Sequence, residues 1–421
     1  MRWPERRRWI MVALAAVLAV GAATAVAYRV LAPAEVDTVA RSAYPPAPSP
    51  QTGVIGRLPV APLVVDGRLR VYAGNRQVYA DQPVNGQHRV TPFWSYRRWP
   101  AQLVGVLADD TTVVSRWSDG LLVALDARTG RVAWRADGPV PGAVPKPRRT
   151  YASTVWDPTG LYATRTADGR RVLVAAGPGR VGGYDLADGR RLWRADVGGD
   201  CRTEVGTTVA GELLAVDACD GPARVEFRDA ATGAVRTRWQ PPGGPEDLMV
   251  VPVGCRDGHS NCRGLRVSGP GDDTGRGWLV GPGDPVAVPA LDGTDTELDG
   301  EWAVGTSAGL ITGRSARTGK ELWRRADLGP VRIIAVEPGR VHLLTERNEL
   351  VTLDPATGVE RSRFVLDLGH DGVGWMPGRA YAADGYVAVE RVRQRATPDD
   401  DDQAYYLMPE AVLLAATGTS P

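Results

Sequence analysis

Side chains that do chemistry are scarce in this 421-residue chain, which has four histidines, four cysteines and, among fifty basic residues, only Lys146 and Lys320 as lysines. His88, His259, His342 and His370 stand far apart in unlike contexts, so no Ser-His-Asp set can be assigned by role. The cysteines lack both the C-x-x-C spacing of zinc sites and the C-x-x-C-H of haem attachment, and His259 is the only imidazole near them. Net charge is scarce as well. Fifty basic residues nearly cancel 49 acidic ones, leaving no global field to attract nucleic acid. The lysine shortage reads as genome composition, since no site chemistry would impose it along a whole chain. The densest charge run, Asp399 to Asp402, lacks the alternation of ligands with glycine that a calcium loop needs, and Asp272-Asp273 is no better. Gly177-Pro178-Gly179 and Gly269-Pro270-Gly271 have no phosphate-loop lysine after them and read as turns. No catalytic, metal or cofactor-binding residue is expected.

What is abundant points to strands and tight turns. Fifty glycines and 33 prolines with only three phenylalanines, beside many Val, Thr, Trp and Tyr, fit an all-β chain. One segment stands apart. Arg2, Arg6, Arg7 and Arg8 precede an uncharged apolar run over residues 10–27, broken by Arg29 and ended by Pro33. As a helix that run would be about 27 Å long, near the roughly 30 Å of a hydrocarbon core. The expectation is a short basic cytoplasmic segment at 1–9, a transmembrane signal anchor at 10–32, and everything beyond it on the far side of a cell membrane. Ala25-Val26-Ala27 keeps a cleaved signal peptide open as the rival, although the run exceeds the usual 7–15 residue apolar region. Cys201 is the first cysteine, so no lipid-bearing cysteine follows the segment. Residues 33–53, with Pro33, Pro45, Pro46, Pro48 and Pro50, read as a semi-extended linker before a folded domain at 54–421.

Four cysteines in an exported chain suggest two disulfides, with three pairings possible. Ala210-Gly211 is a turn-like break midway between Cys201 and Cys219. A hairpin there would set the two opposite each other, give or take one residue of register. Cys255 and Cys262 would then close a loop containing Gly258, His259 and Ser260.

A repeated unit runs through the remainder. Its clearest copy is Asp126-Ala127-Arg128-Thr129-Gly130 followed by Trp134; others are Ser315 to Gly319 with Trp323, Asp185 to Gly189 with Trp193, Asp229 to Gly233 with Trp239, and Asp354 to Gly358 with Phe364, and a partial copy ends at Thr417-Gly418. Asp or Ser before a turn accepts backbone N–H groups, and glycine takes the positive φ that tight turns require. The motif is therefore a hairpin turn between two strands. Gly120, Gly179, Gly309 and Asn348 each lie ten residues before a repeat glycine, which places a second turn and strand in fixed register. Repeat glycines at 130, 189, 233, 319, 358 and 418 are separated by 59, 44, 86, 39 and 60 residues. Units of about 40–45 residues match a four-stranded propeller blade. The 86-residue gap predicts a degenerate unit near Gly281-Pro282-Gly283-Asp284, and the other long gaps predict insertions at 139–158 and 397–406. Seven units are counted; residues 54–80 close the ring or supply an eighth. The expected fold is a seven- or eight-bladed β-propeller of four-stranded antiparallel blades, because a closed ring hides the edges a linear array would expose.

On these copies the chain resembles the pyrroloquinoline-quinone-like repeat propellers, a WD40-like superfamily that includes quinoprotein dehydrogenases, an outer-membrane assembly lipoprotein of Gram-negative bacteria and sensor domains of bacterial kinases. The resemblance covers about residues 54–418. It implies that Trp134, Trp193 and Trp323 dock between neighbouring blades as core residues, not as a cofactor box. The family's dehydrogenases carry an adjacent Cys-Cys pair over the quinone, and this chain has none. A quinone-dependent enzyme and a sensor acting through a separate membrane partner are the alternatives to the preferred expectation, a non-catalytic extracytoplasmic scaffold of the bacterial envelope that binds a protein or peptide partner. Its partner surface is expected on the two insertions, one with Lys146, Arg148 and Arg149, the other with its aspartates.

Overall fold

A computed structural model describes residues 3–31, 34–89, 91–142, 149–256, 258–272, 274–367, 374–393 and 408–418. Eight antiparallel sheets form a ring, six of them built from consecutive strands and two completed by a strand from the N-terminal part of the chain. Blades 2, 3 and 4 run over 103–137, 161–196 and 202–239. Blades 5, 6 and 7 run over 249–287, 296–325 and 331–365. First strands of neighbouring blades touch one another from blade 2 to blade 5 and from blade 6 to blade 8. Blade 5 is the degenerate unit expected near residue 281, with an outer strand of only two residues, Val286–Ala287. Residues 54–80 take both expected roles. Thr52–Leu58 pairs with Val412–Thr417 as the outer strand of blade 8, closing the ring, while Leu63–Val65, Leu69–Gly74 and Gln77–Asp81 open blade 1.

The stretch expected as a linker is bound to the ring. Ala34–Thr38 pairs with Trp94–Trp99 as a fifth strand on blade 1. Glu35 joins Arg98 of blade 1 and Arg135 of blade 2 at 3.2 and 2.8 Å. Ala40 N–H then donates to Thr129 O of blade 2, and the Tyr44 hydroxyl donates to Asp66 of blade 1. One segment thereby clasps blades 8, 1 and 2.

The N-terminal segment is a 29-residue helix, Trp3–Leu31, but no described helix is long and apolar enough to cross a membrane. The expected single-pass anchor is corrected accordingly, and with it the cell-membrane location inferred for the propeller.

Two kinds of joint connect the blades. In the first, an outer-strand tryptophan donates its indole N–H to the carbonyl one residue past the turn Asp of the next blade: Trp94 to Ala127, Trp134 to Leu186, Trp193 to Ala230 and Trp323 to Pro355. Its ring lies against the turn glycine of that blade, where a Cβ on Gly189, Gly233 or Gly358 would come within 2.5–2.6 Å of ring atoms. Gly319, the turn glycine of blade 6, has nothing within 4 Å, since the two-residue outer strand of blade 5 carries no tryptophan. In the second kind, a carboxylate in the first turn of one blade accepts a glycine N–H of the next: Asp299 from Gly339, Glu337 from Gly385 and Asp384 from Gly67, at 2.8–2.9 Å. These three serve blades 6 to 7, 7 to 8 and 8 to 1. Between blades 4 and 5, Trp239 and Trp278 meet edge to face at 4.8 Å.

Candidate functional site

The loop between the first two strands of blade 5 carries the Cys255–Cys262 disulfide and reaches across the inner ends of two other blades. Thr207 N–H donates to His259 O, Cys262 N–H to Thr207 O and Val209 N–H to Cys262 O, at 2.7–3.0 Å. Ser260 Oγ accepts Ala163 N–H of blade 3 at 3.0 Å. Blades 3 and 4 thus hold the loop in place. Opposite it lies the connection between blades 2 and 3, whose short helix Ala152–Val155 is buried. Trp156 follows, donating its indole N–H to Pro62 O at 2.7 Å and stacking on Tyr381 with ring centres 5.9 Å apart.

Between these elements and the inner strands Val331–Glu337 and Met376–Ala383 is a recess of about 300 Å³. Its walls are Trp156, Tyr381 and small apolar residues, and its rim carries Asp157, Arg256, His259 and Arg379. Asp157 stands 3.7 Å from His259 Nδ1 and 3.5 Å from Arg379, both longer than the 2.7–2.9 Å of a close charged hydrogen bond. Arg256 is exposed, and its guanidinium forms no hydrogen bond or ion pair with a described residue. Arg116 of blade 2 fixes the connection behind the recess. Its buried guanidinium donates to Gly160 O at 2.8 Å and Pro139 O at 3.1 Å, tying both ends of the insertion, and burial pulls its pKa down to about 10.

Nearer the axis, the joint carboxylates differ from one another. Burial pushes Asp384 up, and the charges of Glu337 and Asp66 reinforce it against the Gly67 N–H and Arg256. Asp299 is raised for the same first reason. Burial also raises Glu337, but His342, the Gly385 N–H and Arg340 together outweigh it and hold the carboxyl below its ordinary value.

Of the residues singled out in the sequence, Cys255, Cys262 and His259 belong to the recess loop. Cys201 and Cys219 are bonded to each other on blade 4. There the hairpin turns at Thr208–Gly211 and sets Arg202 opposite Asp217, with Ala218 N–H on Cys201 O. Trp134, Trp193 and Trp323 sit at blade joints. His88 contacts the buried Asp81 through Nδ1 at 3.2 Å, and His342 lies between Glu337 and Thr352. Asp272 accepts from Thr274 in a local turn. Asp273, His370, Asp399 to Asp402, Lys146 and Arg148 lie outside the described residues, as does the whole insertion at 397–406. Arg149 is described and donates to Met408 O. Among the described residues no three His, Cys, Asp or Glu side chains group so as to hold a metal. Trp156 and Asp157 lie within the insertion expected as a partner surface, although neither was singled out, and Arg379 and Tyr381 escaped sequence reasoning because no turn motif marks their strand. Trp94 escaped as well, since no turn motif precedes it.

A second, larger recess of about 470 Å³ lies beside the fifth strand of blade 1. Its Arg76 is already engaged, with the guanidinium 3.8 Å above the Trp99 ring and Nε donating to Pro100 O. The axial recess is therefore the stronger candidate.

The family model described as outer membrane protein assembly factor BamB matches residues 37–254, just over half of the chain. Among solved structures, BamB from Moraxella catarrhalis aligns with a TM-score of 0.44 at 15% identity, over 88% of this chain and 99% of its own. The computationally designed Ika8 protein aligns with a TM-score of 0.49 at 14% identity, over 86% of this chain and 99% of its own. The C-terminal WD40 domain of Sif2 aligns with a TM-score of 0.45 at 11% identity, over 89% and 98%. A search of curated proteins finds no match.

Proposed function

The chain belongs to the BamB family of outer membrane protein assembly factors, and from that premise we propose that it is a non-catalytic scaffold that holds a protein partner at the axial recess. The observation that carries this reading is how the recess is built. Four separate elements converge on it, one closed by a disulfide and another tied at both ends by Arg116. Binding to such a site requires little ordering of the protein, and pre-organisation of this kind raises affinity by lowering that cost. Rim charges beside a buried aromatic pair also fit the polar surround and apolar centre of a protein contact. Two disulfides in the ring favour work in an oxidising compartment.

Site-specific photocrosslinking of the full chain tests the reading. A benzoylphenylalanine at position 259 is expected to capture a discrete partner that one at position 322, on the outer strand of blade 6, does not. Equal capture at both positions, or none at 259, would remove the recess as the contact.

A further inference from the structure

We infer that the axial recess takes a carboxylate-bearing side chain from an extended, acidic segment of the partner. The inference rests on the scaffold reading and specifies the chemistry of what is held. The argument is one of charge and size. Arg256 and Arg379 come from different blades and share one rim with a single aspartate, Asp157. That aspartate is held loosely by Arg379 and His259, at 3.5 and 3.7 Å, and Arg256 has no described ion-pair partner. The guanidinium fork matches a carboxylate better than any other common side-chain group. A carboxylate entering between the two arginines would gain donors that no described residue engages closely. Asp384, whose carboxylate the Arg256 charge also reaches, is already engaged by Gly67 N–H at 2.8 Å.

Size excludes a folded element. A recess of about 300 Å³ is at the lower limit of pockets that enclose a small molecule, and a helix is about 10–12 Å across. One or two side chains of an extended chain fit. The small walls of Ala335, Val336, Ala380 and Ala382 suit the methylene stem of a glutamate, with its charged end at the rim.

The test uses the full-length protein and fluorescein-labelled decapeptides, acetylated and amidated at their ends, of alternating Glu and Val, Gln and Val, or Lys and Val. Fluorescence anisotropy reads Kd. The Glu peptide should bind at least tenfold more tightly than the Gln peptide, and the Lys peptide should not bind. Arg256→Gln and Arg379→Gln should each weaken the Glu peptide about tenfold, as expected for losing one charged hydrogen bond. Arg190→Gln, on blade 3 away from the axis, should leave Kd unchanged. All three arginines are exposed, so unchanged melting temperatures will separate lost binding from lost folding. Equal affinity for Glu and Gln peptides, a Kd within twofold of wild type in both rim variants, or binding that appears only with a free C-terminal carboxylate would each overturn the inference. If position 259 still captures its partner when the rim arginines are neutralised, the acidic-segment inference fails and the scaffold reading stands. If neither capture nor peptide binding occurs, both fall.

Discussion

Glycine at the repeat turn answers two demands, and neighbouring copies separate them. Gly233 has φ +75° and the Trp193 ring where a Cβ would go, whereas Gly319 has φ +68° and open space. Alanine at 319 meets only the left-handed backbone penalty, so Gly319→Ala should cost about 1 kcal/mol. Gly233→Ala must also displace an indole wedged between blades and should cost about 3 kcal/mol. Urea denaturation of the two variants checks the difference, and equal losses would mean that the ring contact adds nothing. The indole N–H can be tested alone. Trp193→Phe keeps most of the ring but orphans Ala230 O, and should cost about 1–2 kcal/mol.

Joints and loops belong to the scale of elements, and there acid acts in opposite directions on neighbouring joints. A carboxylate raised by folding contributes stability that is complete below its unfolded pKa and lost as pH rises through the folded value. Asp384 and Asp299 are of this type. Glu337 is lowered, so its contribution is present above the unfolded carboxylate range and lost as pH falls. Asp384→Asn keeps an acceptor for Gly67 N–H, and asparagine tolerates the left-handed φ of 53° at that position. Melting temperatures between pH 4 and pH 8 should therefore show Asp384→Asn at or above wild type near neutrality, with Asp384→Ala below it throughout. Glu337→Gln should lose most above pH 5, where the native carboxylate is charged and joined to His342 and Arg340. The two disulfides also divide by role. Cys255→Ser with Cys262→Ser should abolish capture at position 259 while the ring stays folded, because that bridge closes the recess loop. Cys201→Ser with Cys219→Ser should leave capture intact, since that bridge ties only the open end of a blade 4 hairpin. Photocrosslinking and circular dichroism on both pairs check this.

For the whole molecule the decisive act is closure. Thr52–Leu58 completes blade 8, and the segment before it adds a fifth strand to blade 1 and a contact to blade 2. Removing residues 1–51 should leave a closed, β-rich ring with a lower melting temperature. Removing residues 1–58 exposes the edge of Val412–Thr417 and should cause aggregation, since an unpaired edge is a template for further pairing. Size-exclusion chromatography and limited proteolysis distinguish the two. A monodisperse product from the longer deletion would show that closure does not rest on this strand.

The repeat made the propeller legible, because a hairpin turn is specified by adjacent residues: an aspartate to accept N–H groups, a glycine for positive φ, and ten residues back another turn. Even the weak blade 5 left a gap of the right length. Blade number stayed open in the sequence, since the first blade lacks the motif and the last is shared between chain ends. Length and apolarity suggested a membrane span in the N-terminal helix, but no described helix is long and apolar enough to cross a membrane. The recess was legible in its loop, through Cys255, His259 and Cys262, and in the insertion at 139–158, whose last residues include Trp156 and Asp157. Its other walls bring in Arg379 and Tyr381, which no local pattern links. By itself, then, the sequence determined the blade and its order of repetition, which depend on neighbours along the chain. Tertiary structure decided that there are eight blades, that residues 34–58 clasp the ring, and that charges more than a hundred residues apart share one rim, because ring closure alone sets those distances.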